Sequence, residues 1–281
     1  MPMARTSWKK TKAPMLIRKW ISGTVGTLAT ILIWWLVAAN AFRNTPTGAT
    51  ESIGAIPTPP EVIRQFGIDG FDFFARNAAV TIAEAGLGFF WGNLAALALA
   101  AVALTLPKLD NLAMQIALIT YCIPIVAIGP IIRLVVGAPG PGEPAETAIA
   151  LAAMSVFFTT MVGAMTGVKS ADKAALDVVT VFGGNAWHRL VKVQLLSALP
   201  SILAALRIAA PAAFLGAILG EYVGGPDVGF GPAMVNAQQS LEVARVWALA
   251  LVSGAIAGGA YALVGLISKF VTPWSNGAVR A

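Results

Sequence analysis

The sequence predicts an all-α protein, a polytopic transmembrane helical bundle of about six spans. Three observations carry that reading. Of 281 residues, 57% are hydrophobic and only 11% are charged, whereas soluble domains carry roughly a quarter charged residues. Mean hydropathy is +0.77. Several apolar stretches reach the ~20 residues that a helix needs to cross the hydrocarbon core.

In chain order the spans are read at 16–42, 77–106, 109–136, 145–168, 198–222 and 243–271. The first follows a basic tail, 1–19, as a signal peptide would, but its apolar core is longer than the roughly 7–15 residues of a signal and no small-x-small cleavage site follows. It is read as a retained helix, 20–42 once the tail is set apart. A polar segment, 43–76, punctuated by Pro46, Pro57, Pro59 and Pro60, separates it from the second span.

The second span carries Glu84, seven residues in from Asn77 and so ~10 Å deep at about 1.5 Å per residue. An intramembrane carboxylate is costly and marks either a pathway or an interhelical pair; both readings stand. Gly86, Gly88 and Gly92 follow, small residues that let helices approach closely. The third span contains Pro124 and Pro130 after Tyr121. Proline interrupts the backbone ladder, which a membrane tolerates only where neighbours or a cavity satisfy the freed groups. Tyr121, Pro124 and Pro130 are therefore candidates for a pathway lining, with a packing kink as the alternative. The fifth span holds Arg207, placed either to snorkel towards the membrane surface or to face a central cavity. Glu221 stands at the head of a glycine-rich stretch, 220–234, where it lines an outer gate or caps a turn.

Between the fourth and fifth spans the apolar character breaks at 170–198. Ala174, Ala175, Val178 and Phe182 recur at helical spacing, and Gly183-Gly184 then stops the pattern. Asn185 is placed as an N-cap, with Trp187, Leu190 and Val191 on one face and His188, Arg189 and Lys192 on another. The expectation is a helix–turn–helix hairpin outside the bilayer, offered to a soluble partner.

Charge sets the orientation. With the N-terminus in the cytoplasm, 13 of the 19 Lys and Arg residues fall inside, five fall outside and Arg207 lies within a span. The positive-inside rule then places both termini, and the hairpin, in the cytoplasm. The net charge of +6 reflects anionic lipid headgroups rather than nucleic acid. Cys122 and His188 are the only residues of their kinds, so no internal disulfide forms and no metal-ligand cluster is expected. Cys122 is read as packing. No Walker A loop occurs, so ATP hydrolysis belongs to another chain.

The hairpin resembles the cytoplasmic loop of importer-type ABC permeases, whose pattern is Glu-Ala-Ala-x-x-x-Gly followed by Ile-x-Leu-Pro. Asp177 stands in the Glu position, Gly183 follows six residues later, and Val193 and Leu195 take the Ile and Leu positions. Val178 and Val179 replace the alanines, and Leu196 replaces the proline. The following ALPSI is similar to ALPGI of the nitrate/sulfonate/taurine group. IPTPPEVIRQF, AGLGFFWGN, IPIVAIGPIIR and GEYVGGPDVGFGPAM resemble further family segments, in family order.

The resemblance implies a type I ABC importer permease fold, with a core permease domain at 77–273, its coupling loop at 170–198 and a tail at 274–281. It implies the plasma (bacterial inner) membrane as location and no cofactor on this chain, ATP and Mg being held by partner ATPase subunits. Those subunits would dock on Asp177, Phe182, Gly183, Asn185, Trp187, His188, Arg189 and Lys192. A second permease, identical or different, and an extracytoplasmic substrate-binding protein complete the partners. The substrate class implied is a small anion such as nitrate, sulfonate or taurine, or a pyrimidine or vitamin precursor. Two other readings remain: an ion-coupled secondary transporter using Glu84, and a structural scaffold subunit. None of the three makes this chain an enzyme.

Overall fold

A computed structural model describes residues 13–40, 56–140, 142–224 and 226–275. The expected tail up to residue 12, the segment 43–55 and the stretch 276–281 lie outside the described residues. The described residues are helical, without strands: α1 (Ala13–Asn40), α2 (Pro59–Thr105), α3 (Asp110–Cys122), α4 (Ile125–Val136), α5 (Glu146–Lys169), α6 (Lys173–Val181), α7 (Ala186–Arg189), α8 (Leu195–Gly224), α9 (Phe230–Gln239) and α10 (Val243–Val271). A π-helical turn, Leu190–Gln194, joins α7 to α8.

Among the described residues five helices are long and apolar enough to span a membrane, and α3 with α4 makes a pair bent by 94°, either a sixth, broken span or a re-entrant loop. The interruption expected from the prolines of the third span is therefore a sharp bend between two helices. Pro124 has no N–H and drives the residue before it out of the helical region; Ile123 and Pro124 are both extended, at ψ 124° and 110°. Pro130 is accommodated inside α4. Ahead of the second span lies a short helix. Pro59 and Pro60 open α2, where a missing N–H costs little, and the Thr58 amide donates to Glu61 Oε2 at 2.6 Å. At Gly70 the backbone turns to φ +74°, separating a short leading helix from the long membrane stretch.

Hydrophobicity alone does not glue helices inside lipid, so close approach through small residues does. The central pair is α5 with α8, packed antiparallel. Gly163 and Gly167 of α5 meet Ala205 and Ala198 of α8, while Gly216 and Gly220 of α8 meet Ala152 and Ala148 of α5. On the other side of α5, Gly88 and Gly92 of α2 press against Ala152 and Ala153. Gly86 faces open space. Asn93 of α2 and Thr160 of α5 hydrogen-bond within this interface. One apolar cluster gathers Phe74, Ala152, Ala213, Phe214, Phe230 and Leu249; a second, nearer the hairpin, gathers Ala96, Ala100, Ala113, Met161 and Met165.

The two ends of the bundle are pinned by ion pairs. At the hairpin end Lys169 closing α5 pairs with Asp110 opening α3, at 2.6 Å. At the far end Arg245 of α10 pairs with Asp69 of α2. The surface between them is rich in exposed apolar side chains, including Phe71, Phe90, Trp91, Leu134 and Val135.

Candidate functional site

The hairpin is built from strictly local signals. Asp172 caps α6, accepting from the Ala174 amide at 3.3 Å. At its other end the Gly183 amide donates to Thr180 O at 3.0 Å and the Gly184 amide to Val179 O at 2.8 Å, the paired bonds of a Schellman turn. Gly183 provides the left-handed residue this turn requires, with φ +78°. Asn185 then caps α7: its Oδ1 accepts from the His188 amide at 3.1 Å, and its own amide points at His188 Nδ1 at 3.4 Å. His188 thereby takes the place of the Glu in a capping box.

What these caps display is an unpartnered apolar ridge. Val181 and Phe182 are 83% and 86% exposed, and Val178 and Trp187 also stand in the open. Asp177 and Lys192 flank them, exposed, and Arg189 is half-buried. The hairpin contributes no buried side chain between α6 and the π turn.

At the far end, a buried polar network joins four elements. Asn77, Thr81 and Glu84 lie on one face of α2, and all three are buried, as is Glu221 on α8. Thr81 Oγ1 donates to Glu221 Oε1 at 2.6 Å. The Ala145 amide, just before α5, donates to Glu84 Oε1 at 2.6 Å. The first amides of α9 are received in turn: Gly229 by Asn77 Oδ1 at 3.0 Å, Phe230 by Thr81 Oγ1 at 3.0 Å, and Gly231 by Glu221 Oε2 at 2.6 Å. The Glu84 and Glu221 carboxyl groups are neighbours. Glu84 Oε2 meets no hydrogen-bond donor among the described residues.

A cavity of about 450 Å³ opens at the α3–α4 break, bounded by α5 and α8. Tyr121, Cys122 and Pro124 line it, with Thr120, Ser155 and Gly216. Tyr121 stacks on Phe158 at 4.6 Å between ring centroids and stays 67% exposed. No Lys, Arg, Asp or Glu lines this space. Cys122, read from sequence as packing, is exposed on its wall. Pro130 lies on the open face of α4, outside the lining.

The remaining candidates fall elsewhere. Arg207 turns to α10, its guanidinium 4.0 Å from the Tyr261 ring centroid, and Gly265 makes room for it. Sequence reading missed Asn77 and Thr81, although the spacing 77, 81, 84 places three polar groups on one helical face inside an apolar run. It also missed α9, whose caps come from other helices.

Comparison with known proteins adds independent findings. The family model described as the inner membrane component of binding-protein-dependent transport systems matches residues 87–280. A probable ABC transporter permease protein of Haemophilus influenzae is 27% identical over 232 residues, covering 81% of this chain and 86% of the relative. The riboflavin transport system permease protein RibX of Chloroflexus aurantiacus is 28% identical over 156 residues, 55% of this chain and 56% of its own. The putative aliphatic sulfonates transport permease protein SsuC of Bacillus subtilis is 24% identical over 261 residues, 92% of this chain and 88% of its own.

Proposed function

Because this chain belongs to the inner membrane components of binding-protein-dependent transport systems, the permease subunits of ABC importers, we propose that its α6–α7 hairpin is where the ATPase subunit docks. The exposed ridge of Val178, Val181, Phe182 and Trp187 supports this reading. Four large apolar side chains held in water by tight caps need a partner to cover them. Asp177, Gly183, Asn185, His188, Arg189 and Lys192 shape or flank that ridge. The chain itself is a transport subunit and not an enzyme.

The mechanism follows from continuity. The hairpin's second arm continues through the π-helical turn into α8, one helical rod from Ala186 to Gly224 with Pro200 and Pro211 inside it. Closure of the ATPases around ATP would push the ridge and tilt this rod against α5, alternating access to a pathway shared with a second permease. In this reading the Lys and Arg distribution puts both termini and the hairpin on the cytoplasmic side, and a binding protein would deliver substrate at the far end. The α3–α4 cavity is this chain's share of the pathway, with Tyr121 and Pro124 on its wall; Glu84, Glu221 and Arg207 lie outside that lining and hold helices together.

For the substrate, the choice lies between a small anion and an uncharged pyrimidine or vitamin precursor. The cavity wall favours the latter. It presents the Tyr121 ring and hydroxyl, and the acceptor sides of Thr120 and Ser155, whose hydroxyls donate to the Ile116 and Leu151 carbonyls, but no cationic side chain. Ring stacking and neutral hydrogen bonds suit a planar heterocycle.

The deciding experiment is co-purification of the permease with its ATPase, comparing wild type with Gly183→Arg and Phe182→Asp. Phe182 is 86% exposed, so its substitution leaves the permease's own packing intact. Loss of the ATPase from both variants is expected. Retention by both would sink the docking site, and transport that runs on an ion gradient without any ATPase would revive Glu84 as a coupling carboxylate.

A further inference from the structure

The start of α9 cannot satisfy its own amides. Gly229, at the N-cap position with φ +145°, has no side chain to offer. Its amide and those of Phe230 and Gly231 depend on Asn77, Thr81 and Glu221, which belong to α2 and α8. These bonds exist only while α9 is seated between the two helices; unseated, the same amides must turn to water.

The seat is close-fitting. Phe230 is fully buried, with its ring 6.1 Å from that of Phe214. A Cβ at position 229 would lie 2.6 Å from Glu221 Oε1, and one at 231 would lie 2.8 Å from the Tyr222 amide. Packed contacts of this kind favour two discrete positions over gradual sliding. The segment just before α9, with Pro226, Asp227 and Val228, also walls a far-end cavity of about 490 Å³ together with Arg76 and Pro144. Moving α9 therefore reshapes that opening.

Glu221 lies on the rod that begins in the hairpin. From Leu190 to Glu221 the axial distance is ~46 Å at about 1.5 Å per residue. We propose that Asn77, Thr81 and Glu221 form a bolt that keeps the far-end gate shut while α9 is seated, and that α8 draws it when the hairpin moves. These three are positioning residues: they act through α9. The inference rests on the docking reading above.

The test uses the assembled importer, permease with ATPase, reconstituted in liposomes, with ATP hydrolysis measured per assembled complex, with and without the binding protein. Thr81→Val removes the hydroxyl from its bonds to Glu221 and to the Phe230 amide, along with its bond to the Asn77 carbonyl, and Thr81→Ser restores it. With the bolt weakened, hydrolysis in the absence of binding protein should rise roughly fivefold or more, the lower range of ordinary allosteric coupling, and stimulation by the binding protein should shrink. Thr81→Ser should behave as wild type. Equal basal rates for Thr81→Val and wild type would overturn the bolt, as would a loss of complex yield with an unchanged rate per complex. A wild-type permease that retains no ATPase would instead overturn the docking reading, and the bolt with it.

Discussion

Arg245 reaches across 176 residues of sequence to place both Nε and Nη2 on Asp69 Oδ1, at 2.9 and 2.6 Å. The Asp69 side chain is 2% exposed, and Gln65 also donates to it. Arg245 meets the more exposed Glu242 as well. The pair fastens the short helix before Gly70 to the start of α10.

Removing one partner of a buried pair strands the other charge, so Arg245→Ala should destabilise the protein by about 3 kcal/mol. Glu242→Gln, at the solvent edge, should cost less than about 1 kcal/mol. Unfolding midpoints of the purified variants in one detergent check the order; equal effects would mean that Asp69 is not the partner that matters.

The α5–α8 crossing makes a sharper contrast between glycines. A methyl group at Gly220 would lie 2.7 Å from the Ala148 amide nitrogen and 2.8 Å from Thr147 O, whereas at Gly254 it would meet nothing within 4 Å. Gly220→Ala should lose about 1–3 kcal/mol through forced helix separation, while Gly254→Ala should be neutral or gain up to roughly 1 kcal/mol from helix propensity. Folded yield and thermal midpoint report both.

In the hairpin, Gly183 and Gly184 fail for different reasons. Nothing crowds a Cβ at Gly183, so Gly183→Ala carries only the left-handed backbone cost of about 1–2 kcal/mol. At Gly184 a Cβ would come within 2.6 Å of Val179 O, the carbonyl its own amide bonds. Hydrogen exchange across 179–190 should quicken in both variants. Protection unchanged in Gly184→Ala would show that the turn is not held as described.

Cys122 offers a probe that needs no engineering, being the only cysteine in the chain. A methanethiosulfonate reagent added to the reconstituted importer should block transport of a wild-type chain and spare Cys122→Ser. Full labelling without inhibition would remove this cavity from the pathway.

How much of this was legible beforehand depended on the range of the signal. The sixth span was read at its exact helix limits, 243–271, because apolar length suffices to define it. Asn185 as a cap was visible because its partner lies three residues away. The 94° break at Pro124 was half visible: proline announces an interruption but not its angle. Asn77, Thr81 and α9 were not visible as a unit, since their bonds join residues about 150 positions apart. Glycine-rich sequence before α9 reads as a turn when caps are sought only locally. Arg207 was ambiguous for a similar reason: its face on α8 is set by Tyr261 and Gly265 of α10.

The first helix stands apart from all of this. Between Gly23 and Asn40 only Ala38 is buried, and Trp34 makes the conspicuous attachments, stacking on Trp247 at 5.4 Å and donating to Pro57 O at 3.0 Å. With most of its described side chains exposed, α1 should accept substitution along that exposed length with little disturbance to the helices behind it. The glycine-packed interior is the opposite case, since at Gly88, Gly92, Gly216 and Gly220 even one methyl group would meet a neighbouring helix.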